Sequence, residues 1–122
     1  MQARLVTISD GKVVDAYPVE ESGTVYGRAG GDLVQIMDPE VSKRHLKIYL
    51  KGKEWRLLDL SSRNGTYVNG ERVQGCFLQS GDAVRIGGTT LYFIAGENLP
   101  ASGQAIDVSR NAYQQTMPAK HP

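Results

Sequence analysis

The chain has few of the residues that characterise secreted, membrane-spanning or metal-binding proteins. Its 122 residues include a single cysteine, Cys76, so no disulfide joins two parts of the chain and a reducing compartment is the expected location. The N-terminus lacks the apolar stretch of a signal sequence, and no apolar run approaches the length that spans a bilayer. No set of residues with metal-ligand spacing accompanies the motifs described below. We therefore expect a cytoplasmic protein that uses no metal ion or other cofactor.

Neither sign of charge dominates the chain, whose formal net charge is +1, so a general affinity for nucleic acid is not expected. The charge is nevertheless unevenly distributed along the sequence. Residues 43–63 carry seven basic and two acidic side chains, whereas residues 1–42 carry three basic and seven acidic ones. The basic segment lacks the interleaved stacking aromatics of single-strand nucleic-acid binders. We interpret its positive charge as an aid to the encounter with an anionic ligand.

Helical periodicity is also missing, and short β-rich segments separated by turn residues fill the chain up to about residue 95. Asp10-Gly11 predicts a hairpin between strands at residues 3–9 and 12–19. Leu46, Ile48 and Leu50 alternate with more polar residues, which predicts a strand at residues 46–50 with one buried face. Further strands are predicted at residues 24–27, 33–36, 55–60, 66–68, 83–86 and 89–95. This series predicts an all-β fold, and we expect an antiparallel β-sandwich.

The composition changes at Gly96. Residues 97–122 show no alternation and are rich in Gly, Pro, Ser, Gln and Asn, so they offer little apolar surface for a core. We predict a single domain over residues 1–96 and a flexible tail or linker over residues 97–122. Such an arrangement suits either the N-terminal module of a larger protein or a small adaptor.

Gly27-Arg28 ends one of the predicted strands. Glycine permits the close approach of another backbone, and the planar fork of arginine is well suited to gripping phosphate through two hydrogen bonds. The alternative is a surface arginine in a salt bridge, which is the usual role of a lone arginine.

Ser42-Lys43-Arg44-His45 precedes the strand that begins at Leu46. The Ser42 hydroxyl is able to donate to a phosphate oxygen, and Lys43 adds a mobile positive charge. The alternative is a serine nucleophile with His45 as its base, but no residue that would orient the base and no oxyanion motif is visible. We therefore expect no enzymatic activity, and we interpret His45 as a residue that holds the loop by hydrogen bonding.

Ser61-Ser62-Arg63-Asn64-Gly65-Thr66 connects two further predicted strands. The Asn64 amide is both a donor and an acceptor, so it is able to pair with the backbone of an extended peptide. Asn-Gly is also a strong signal for a hairpin turn. Asn64-Gly65-Thr66 also matches a glycosylation sequon, which has no meaning without secretion. Asn69-Gly70 is interpreted as a structural turn between two strands.

The order and spacing of these motifs closely resemble the forkhead-associated (FHA) domain. The resemblance rests on Gly27-Arg28, Ser42-x-x-His45, Asn64-Gly65-Thr66 and Asn69-Gly70, with further support from residues 38–41, 55–60 and 81–87. It covers roughly residues 5–95. The resemblance implies a β-sandwich whose loops at one end bind phosphothreonine peptides. The ligand would be generated by a Ser/Thr kinase acting on a partner or on this protein, in which Thr116 is a candidate self-ligand.

The resemblance also implies roles for individual residues. Five are expected to contact the phosphopeptide: Arg28, Ser42, Lys43, Arg63 and Asn64. Among these, Asn64 would pair with the peptide backbone and the others would serve the phosphate. Four are expected to be architectural: Gly27, His45, Gly65 and Asn69. Of the latter, His45 and Asn69 would brace the two loops.

Two residues depart from the FHA pattern. Tyr26 stands where the family usually has an aliphatic residue, and we expect this change to affect only edge packing. Glu40 lies in the loop that in relatives helps to select the residue three places after the phosphothreonine, and its charge favours a basic or neutral residue there.

The alternative function is a phospho-independent protein-interaction or oligomerisation domain of the same fold.

Overall fold

The computed structural model describes residues 1–106, which form eleven β-strands. The strands are β1 (Ala3–Ser9), β2 (Lys12–Val19), β3 (Thr24–Gly27), β4 (Val34–Gln35), β5 (Leu46–Lys51), β6 (Glu54–Asp59), β7 (Thr66–Val68), β8 (Glu71–Val73), β9 (Gly75–Leu78), β10 (Ala83–Ile86) and β11 (Thr89–Ala95). Residues 107–122, which include Thr116, lie outside the described residues. Within residues 1–106, no helix has the length and apolar character needed to cross a membrane.

The strands form two sheets that pack face to face. The six-stranded sheet has the order β2-β1-β11-β10-β7-β8, and the five-stranded sheet has the order β4-β3-β5-β6-β9. Neighbouring strands are antiparallel throughout, except that β4 runs parallel to β3 at the edge of the smaller sheet. The predicted all-β fold and the antiparallel β-sandwich are confirmed.

The core lies between the two sheets and is built from alternate residues of each strand. In β5, Leu46 and Ile48 are fully buried, while the intervening Lys47 is partly exposed, as the alternation predicts. From the facing sheet, Phe93 meets Trp55 edge to face with ring centroids 5.9 Å apart. Full burial of a side chain of this size contributes about 1.5–3 kcal/mol relative to exposure. The packed core therefore holds the two sheets, and the loops that join their strands, in fixed relative positions.

Tyr26 is part of this core, so the expectation that it affects only edge packing is wrong. Its side chain is fully buried, and its hydroxyl donates a hydrogen bond of 2.6 Å to the carbonyl oxygen of Pro18. Burial raises the pKa of the Tyr26 phenol far above its ordinary value. A tyrosine is accommodated here because its ring fills the core while its hydroxyl finds a backbone partner.

Turn chemistry explains the hairpins that the sequence predicts, and weak apolar alternation explains the strands that it misses. Asp10 and Gly11 have φ angles of 53° and 73°, as a tight two-residue hairpin turn requires. The strands β8 and β9 were not predicted because both are short and mostly exposed, so their sequences show little apolar alternation. The predicted strand at residues 33–36 is reduced to Val34–Gln35.

Residues 97–106 follow the edge of the larger sheet. The Val13 N–H donates to the Gln104 carbonyl at 2.8 Å, and the Gly103 N–H donates to the Val13 carbonyl at 2.6 Å. The Ile106 N–H donates to the Gly11 carbonyl at 2.9 Å, and the Arg4 side chain donates to the Pro100 carbonyl at 2.9 Å. This segment thus pairs with the first residues of β2, at the otherwise unpaired edge of the larger sheet. The predicted division at residue 96 stays a prediction.

Candidate functional site

Three loops meet at one end of the sandwich because the strands that carry them are hydrogen-bonded neighbours. Tyr26 at the end of β3 pairs with Leu46 at the start of β5, and Leu46 pairs with Asp59 at the end of β6. The segments that follow β3, precede β5 and follow β6 are therefore adjacent. We call this the loop end; it comprises residues 27–31, 36–45 and 60–65. The β10–β11 turn joins it, because the Gly88 N–H donates to Asp38 at 2.9 Å.

Gly27 is a glycine because another backbone lies directly on it. A Cβ atom at this position would stand 2.1 Å from the Lys43 carbonyl oxygen. The contact is held by hydrogen bonds from the Arg28 N–H to the Ser42 carbonyl at 3.0 Å and from the Ala29 N–H to the Lys43 carbonyl at 3.2 Å. Gly27 thereby brings the Ser42-Lys43 segment against the base of Arg28.

Arg28 is exposed, and a hydrogen bond to the backbone of the neighbouring loop holds its side chain in place. Its Nε–H donates to the Val41 carbonyl oxygen at 3.0 Å. That bond leaves the two terminal nitrogens of the guanidinium available to a ligand. Within residues 1–106, no carboxylate oxygen lies within 4.0 Å of Arg28, Lys43 or Arg63, so the alternative of a salt-bridged surface arginine is not what this part of the chain shows.

Ser42 joins two of the loops. Its hydroxyl oxygen accepts a hydrogen bond of 2.9 Å from the Arg63 N–H. Because the oxygen acts as an acceptor, the hydroxyl proton remains available for donation. Lys43 and Arg63 are both exposed beside this contact. The structure thus brings together four of the predicted phosphate-binding residues: Arg28, Ser42, Lys43 and Arg63.

His45 holds the same two loops together from inside the protein. Its ring is fully buried; its Nδ1 accepts a hydrogen bond of 3.0 Å from the Ser42 N–H, and its Nε2 lies 2.9 Å from the Gly65 carbonyl oxygen. A backbone N–H only donates, so Nδ1 is unprotonated and Nε2 carries the proton that it donates to Gly65. Both ring nitrogens are therefore occupied by backbone groups, and neither is directed at the Ser42 hydroxyl.

Asn64 is exposed at the loop end, where its amide nitrogen faces Glu40. The Nδ2 atom donates to the Glu40 carbonyl oxygen at 2.8 Å and to the Glu40 carboxylate at 3.1 Å. Among residues 1–106, no donor is within hydrogen-bonding distance of the Asn64 Oδ1 atom. The side chain is thus anchored through its donor and leaves its acceptor open.

The loop that carries Arg63 and Asn64 is built on Asp59, a residue that the sequence reasoning did not single out. Its carboxylate accepts hydrogen bonds from the Ser62 N–H at 3.0 Å, the Ser62 hydroxyl at 2.6 Å and the Thr66 hydroxyl at 2.7 Å. Burial alone would raise the pKa of Asp59, but these bonds outweigh it and hold the pKa below its usual value. The Asp-x-x-Ser spacing is the sequence signal that predicts such a turn.

Asp38 organises the loop before β5 in the same way, by accepting hydrogen bonds through its carboxylate. The sequence alone does not single it out. The Thr89 hydroxyl donates to its carboxylate at 2.7 Å, as do the N–H groups of Glu40 and Gly88, both at 2.9 Å. The bond from Thr89, with smaller effects from the two backbone bonds, lowers the pKa of Asp38. Asp38 therefore ties the residues around Glu40 to the β10–β11 turn.

Asn69 lies away from the loop end and does not brace its loops, although the family resemblance implies that role. Strand β7 separates it from Gly65, so it lies at the opposite end of that strand. There its Nδ2 donates to Asp82 at 3.0 Å and its Oδ1 accepts from the Ala83 N–H at 2.9 Å. Asn69 and Gly70 have φ angles of 52° and 87°, which identifies the hairpin turn that Asn69-Gly70 predicts.

The model of the FHA domain family matches residues 24–87, a range that includes Gly27, Arg28, the loop before β5, the loop after β6 and the Asn69 turn. The chain belongs to the FHA domain family. The match coincides with the strands and loops that build the loop end of this FHA domain. The resemblance seen in the sequence is thereby confirmed.

Individual relatives support the same assignment. The glycogen accumulation regulator GarA of Mycolicibacterium smegmatis is 38% identical over 85 residues, which are 70% of this chain and 54% of GarA. The chain spans about half the length of the curated relatives it matches. A solved FHA domain from work on phosphothreonine-dependent FHA domain interactions matches 80% of this chain and 100% of its own, with 32% identity and a TM-score of 0.70. Mycobacterium tuberculosis EmbR, in complex with a low-affinity phosphopeptide, matches with 30% identity and a TM-score of 0.70 over 80% of this chain and 26% of EmbR.

Proposed function

We propose that this FHA domain binds a phosphothreonine-containing segment of a partner protein at its loop end. The observation that carries the proposal is that Arg28, Ser42 and Arg63 lie together with hydrogen-bond donors to spare and without an acidic partner among the described residues. A phosphate on threonine has close to two negative charges near neutral pH and three acceptor oxygens. The cluster supplies a matching set of charges and donors on a rigid scaffold.

The proposed roles follow from the contacts that each side chain already makes. Arg28, fixed through its Nε, offers two parallel N–H groups to two phosphate oxygens. Ser42 donates its hydroxyl proton, and Lys43 and Arg63 add charge from the rim of the site. A charge-assisted hydrogen bond contributes about 1.5–3 kcal/mol, so two of them favour the phosphorylated peptide roughly a hundredfold or more.

Asn64 is proposed to hold the peptide backbone beside the phosphothreonine. Since both hydrogens of its amide are directed at Glu40, its Oδ1 is the atom offered to a peptide N–H. Glu40 keeps a carboxylate next to this path. Its charge supports a preference for a basic or neutral residue three places after the phosphothreonine.

We further propose that the domain is a non-catalytic adaptor that acts in the cytoplasm on targets of a Ser/Thr kinase. The position of His45 supports the first part, because both of its nitrogens bind backbone groups and no base is presented to Ser42. The phosphopeptide bound to EmbR supports the action on kinase targets. The single cysteine agrees with a reducing compartment.

A titration with matched peptide pools tests the proposal. Three pools with the same degenerate flanks carry phosphothreonine, phosphoserine or threonine at the centre, and binding is measured by fluorescence anisotropy. Wild type is expected to bind the phosphothreonine pool most tightly, and Arg28→Ala is expected to lose at least tenfold in affinity. The exposed Lys53→Gln, in the β5–β6 turn at the other end of the sandwich, is the matched control. Equal binding of all three pools overturns the proposal and favours the phospho-independent alternative.

A further inference from the structure

A row of three side chains crosses the outer face of the larger sheet next to the loop end. Tyr67 in β7 pairs with Arg72 in β8 on one side and with Arg85 in β10 on the other. Residues directly opposite in neighbouring strands project from the same face. The residues on either side of Tyr67, Thr66 and Val68, are buried, so the row faces solvent. We call it the Arg-Tyr-Arg row.

Arg72 reaches from this row to the loop end. A Cβ atom on Gly65 would stand 2.7 Å from the Arg72 Nε and 2.9 Å from its Cζ, so the guanidinium lies directly over Gly65. Gly65 follows Asn64, whose Oδ1 is open to a peptide backbone. A peptide that passes Asn64 on this side therefore meets the Arg72 guanidinium next.

Arg85 leans towards the same end of the sheet. Its Cζ lies 4.2 Å from the centroid of the Tyr67 ring, and its Nη1 donates to the Gly87 carbonyl at 3.2 Å. Gly87 begins the turn that Asp38 ties to the loop end through Gly88. A guanidinium stacked on an aromatic ring is held flat and keeps N–H groups on its edge for a ligand.

Neither arginine of the row is neutralised by the described part of the chain. Within residues 1–106, no carboxylate oxygen lies within 4.0 Å of Arg72 or Arg85. The two acids of the loop end have other partners: Asp38 accepts from Thr89 and Gly88, and Glu40 accepts from Asn64. Two unpaired guanidinium groups on rigid strands, continuous with a peptide-binding end, match carboxylates in geometry and charge.

We infer that the Arg-Tyr-Arg row is a second recognition surface, which binds aspartate or glutamate side chains on the flank of the phosphothreonine segment that leaves the site past Asn64. This inference rests on the proposed function. The row differs from the phosphate site in position and in ligand, since it reads carboxylates of the partner and not the modification itself. Exposed pairs of this kind contribute about 0.2–1 kcal/mol, so each well-placed acidic residue is expected to raise affinity by up to about fivefold.

A positional scan of peptide pools with a fixed central phosphothreonine tests the inference. Wild type, the double variant Arg72→Gln/Arg85→Gln and the control Lys53→Gln are each probed with pools that carry aspartate, glutamate, alanine or lysine at one flanking position at a time. We expect wild type and the control to favour acidic residues on one flank only, and not at the third position after the phosphothreonine, where the charge of Glu40 disfavours them. The double variant is expected to lose that preference while it still selects phosphothreonine over threonine.

The outcomes separate this inference from the proposed function. Selection of phosphothreonine by wild type without any acidic preference, or with a preference that the double variant retains, overturns the inference and leaves the proposed function standing. Failure of wild type to select phosphothreonine overturns both. All three proteins are compared for melting temperature, so that a folding defect in the double variant is recognised; single Arg72→Gln and Arg85→Gln variants then carry the test.

Discussion

The buried ring of His45 connects Ser42 to Gly65 through two hydrogen bonds, one from the Ser42 N–H to Nδ1 at 3.0 Å and one from Nε2 to the Gly65 carbonyl at 2.9 Å. These bonds run between the loop that carries the Ser42 hydroxyl, which we propose donates to phosphate, and the loop that carries Asn64. The spacing of the groups proposed to bind the ligand thus depends on a residue that is itself fully buried. In this respect His45 is a positioning residue.

Replacing His45 by phenylalanine keeps a ring of similar shape and removes both hydrogen bonds. Each buried group left unpaired costs about 1–3 kcal/mol, so we expect His45→Phe to lower the free energy of unfolding by at least about 2 kcal/mol. His45→Gln retains a donor and an acceptor and is expected to recover part of that loss. Urea denaturation measures both variants, and a His45→Phe protein as stable as wild type contradicts the assigned role.

A substitution at Gly27 tests the backbone contact between the segment that follows β3 and the loop that precedes β5. A Cβ atom at residue 27 would lie 2.1 Å from the Lys43 carbonyl oxygen, so Gly27→Ala is expected to lower stability by roughly 3 kcal/mol or more and to weaken phosphopeptide binding. Gly88→Ala is the matched control, because a Cβ there meets only an ordinary contact of 3.6 Å with Asp38. Equal melting temperatures for the two variants would show that the Gly27 contact is not required.

Asp59 predicts the direction of a pH dependence. Its hydrogen bonds hold its pKa in the folded protein below the unfolded value of about 3.9, so the folded state binds the proton less readily. The hydrogen bonds of Asp59 therefore stabilise the folded protein fully at pH values above the unfolded pKa, and this stabilisation is lost as the pH falls through the folded pKa. In urea titrations from about pH 6 down to about pH 2.5, the stability advantage of wild type over Asp59→Asn is expected to shrink. Asp32→Asn, which alters an exposed side chain, is the control, and a constant advantage at all pH values refutes the account.

Residues 97–106 are expected to stabilise the domain through the edge of β2. Three backbone hydrogen bonds join this segment to Gly11 and Val13, and each contributes about 0.5–1.5 kcal/mol. A chain of residues 1–96 is therefore expected to unfold at a melting temperature about 10 °C or more below that of a chain of residues 1–106. Calorimetry of both chains measures this difference. Identical melting temperatures would place the end of the folded unit at residue 96, as the sequence predicts.

The sequence predicts where the candidate site lies because its motifs fall where strands end, and strand ends follow from alternation and turn residues. The family resemblance predicts that Arg28, Ser42 and Arg63 lie together, whereas the hydrogen bond from the Arg63 N–H to the Ser42 hydroxyl depends on how the two loops fold against each other. The bracing role expected of Asn69 is wrong because the length of β7 sets its distance from Gly65, and the motif spacing alone does not show at which end of the strand it lies. Asp38 and Asp59 were passed over because carboxylates that accept hydrogen bonds within a loop resemble ordinary surface acids until their partners are known.

Tyr26 and the Arg-Tyr-Arg row illustrate a second limit of the sequence. Whether a residue in a strand faces the core or solvent follows from the register, which alternation fixes only where one face is clearly apolar. The burial of Tyr26 depends on the Pro18 carbonyl that accepts its hydroxyl hydrogen bond, a contact between strands of different sheets. Similarly, the position of Arg72 over Gly65 depends on the pairing of β8, a strand that the sequence did not reveal.

The most direct test of the phosphate site is an amide NMR titration of ¹⁵N-labelled protein with matched phosphothreonine and threonine peptide pools. Only the phosphothreonine pool is expected to shift resonances, and the largest shifts are expected at Arg28, Ser42, Arg63 and Gly65, whose N–H groups lie in or beside the cluster. Resonances of the distant Asn69-Gly70 turn are expected to stay in place. Shifts that are the same for both pools, or that centre on another part of the sandwich, would contradict the proposal that these loops bind phosphothreonine.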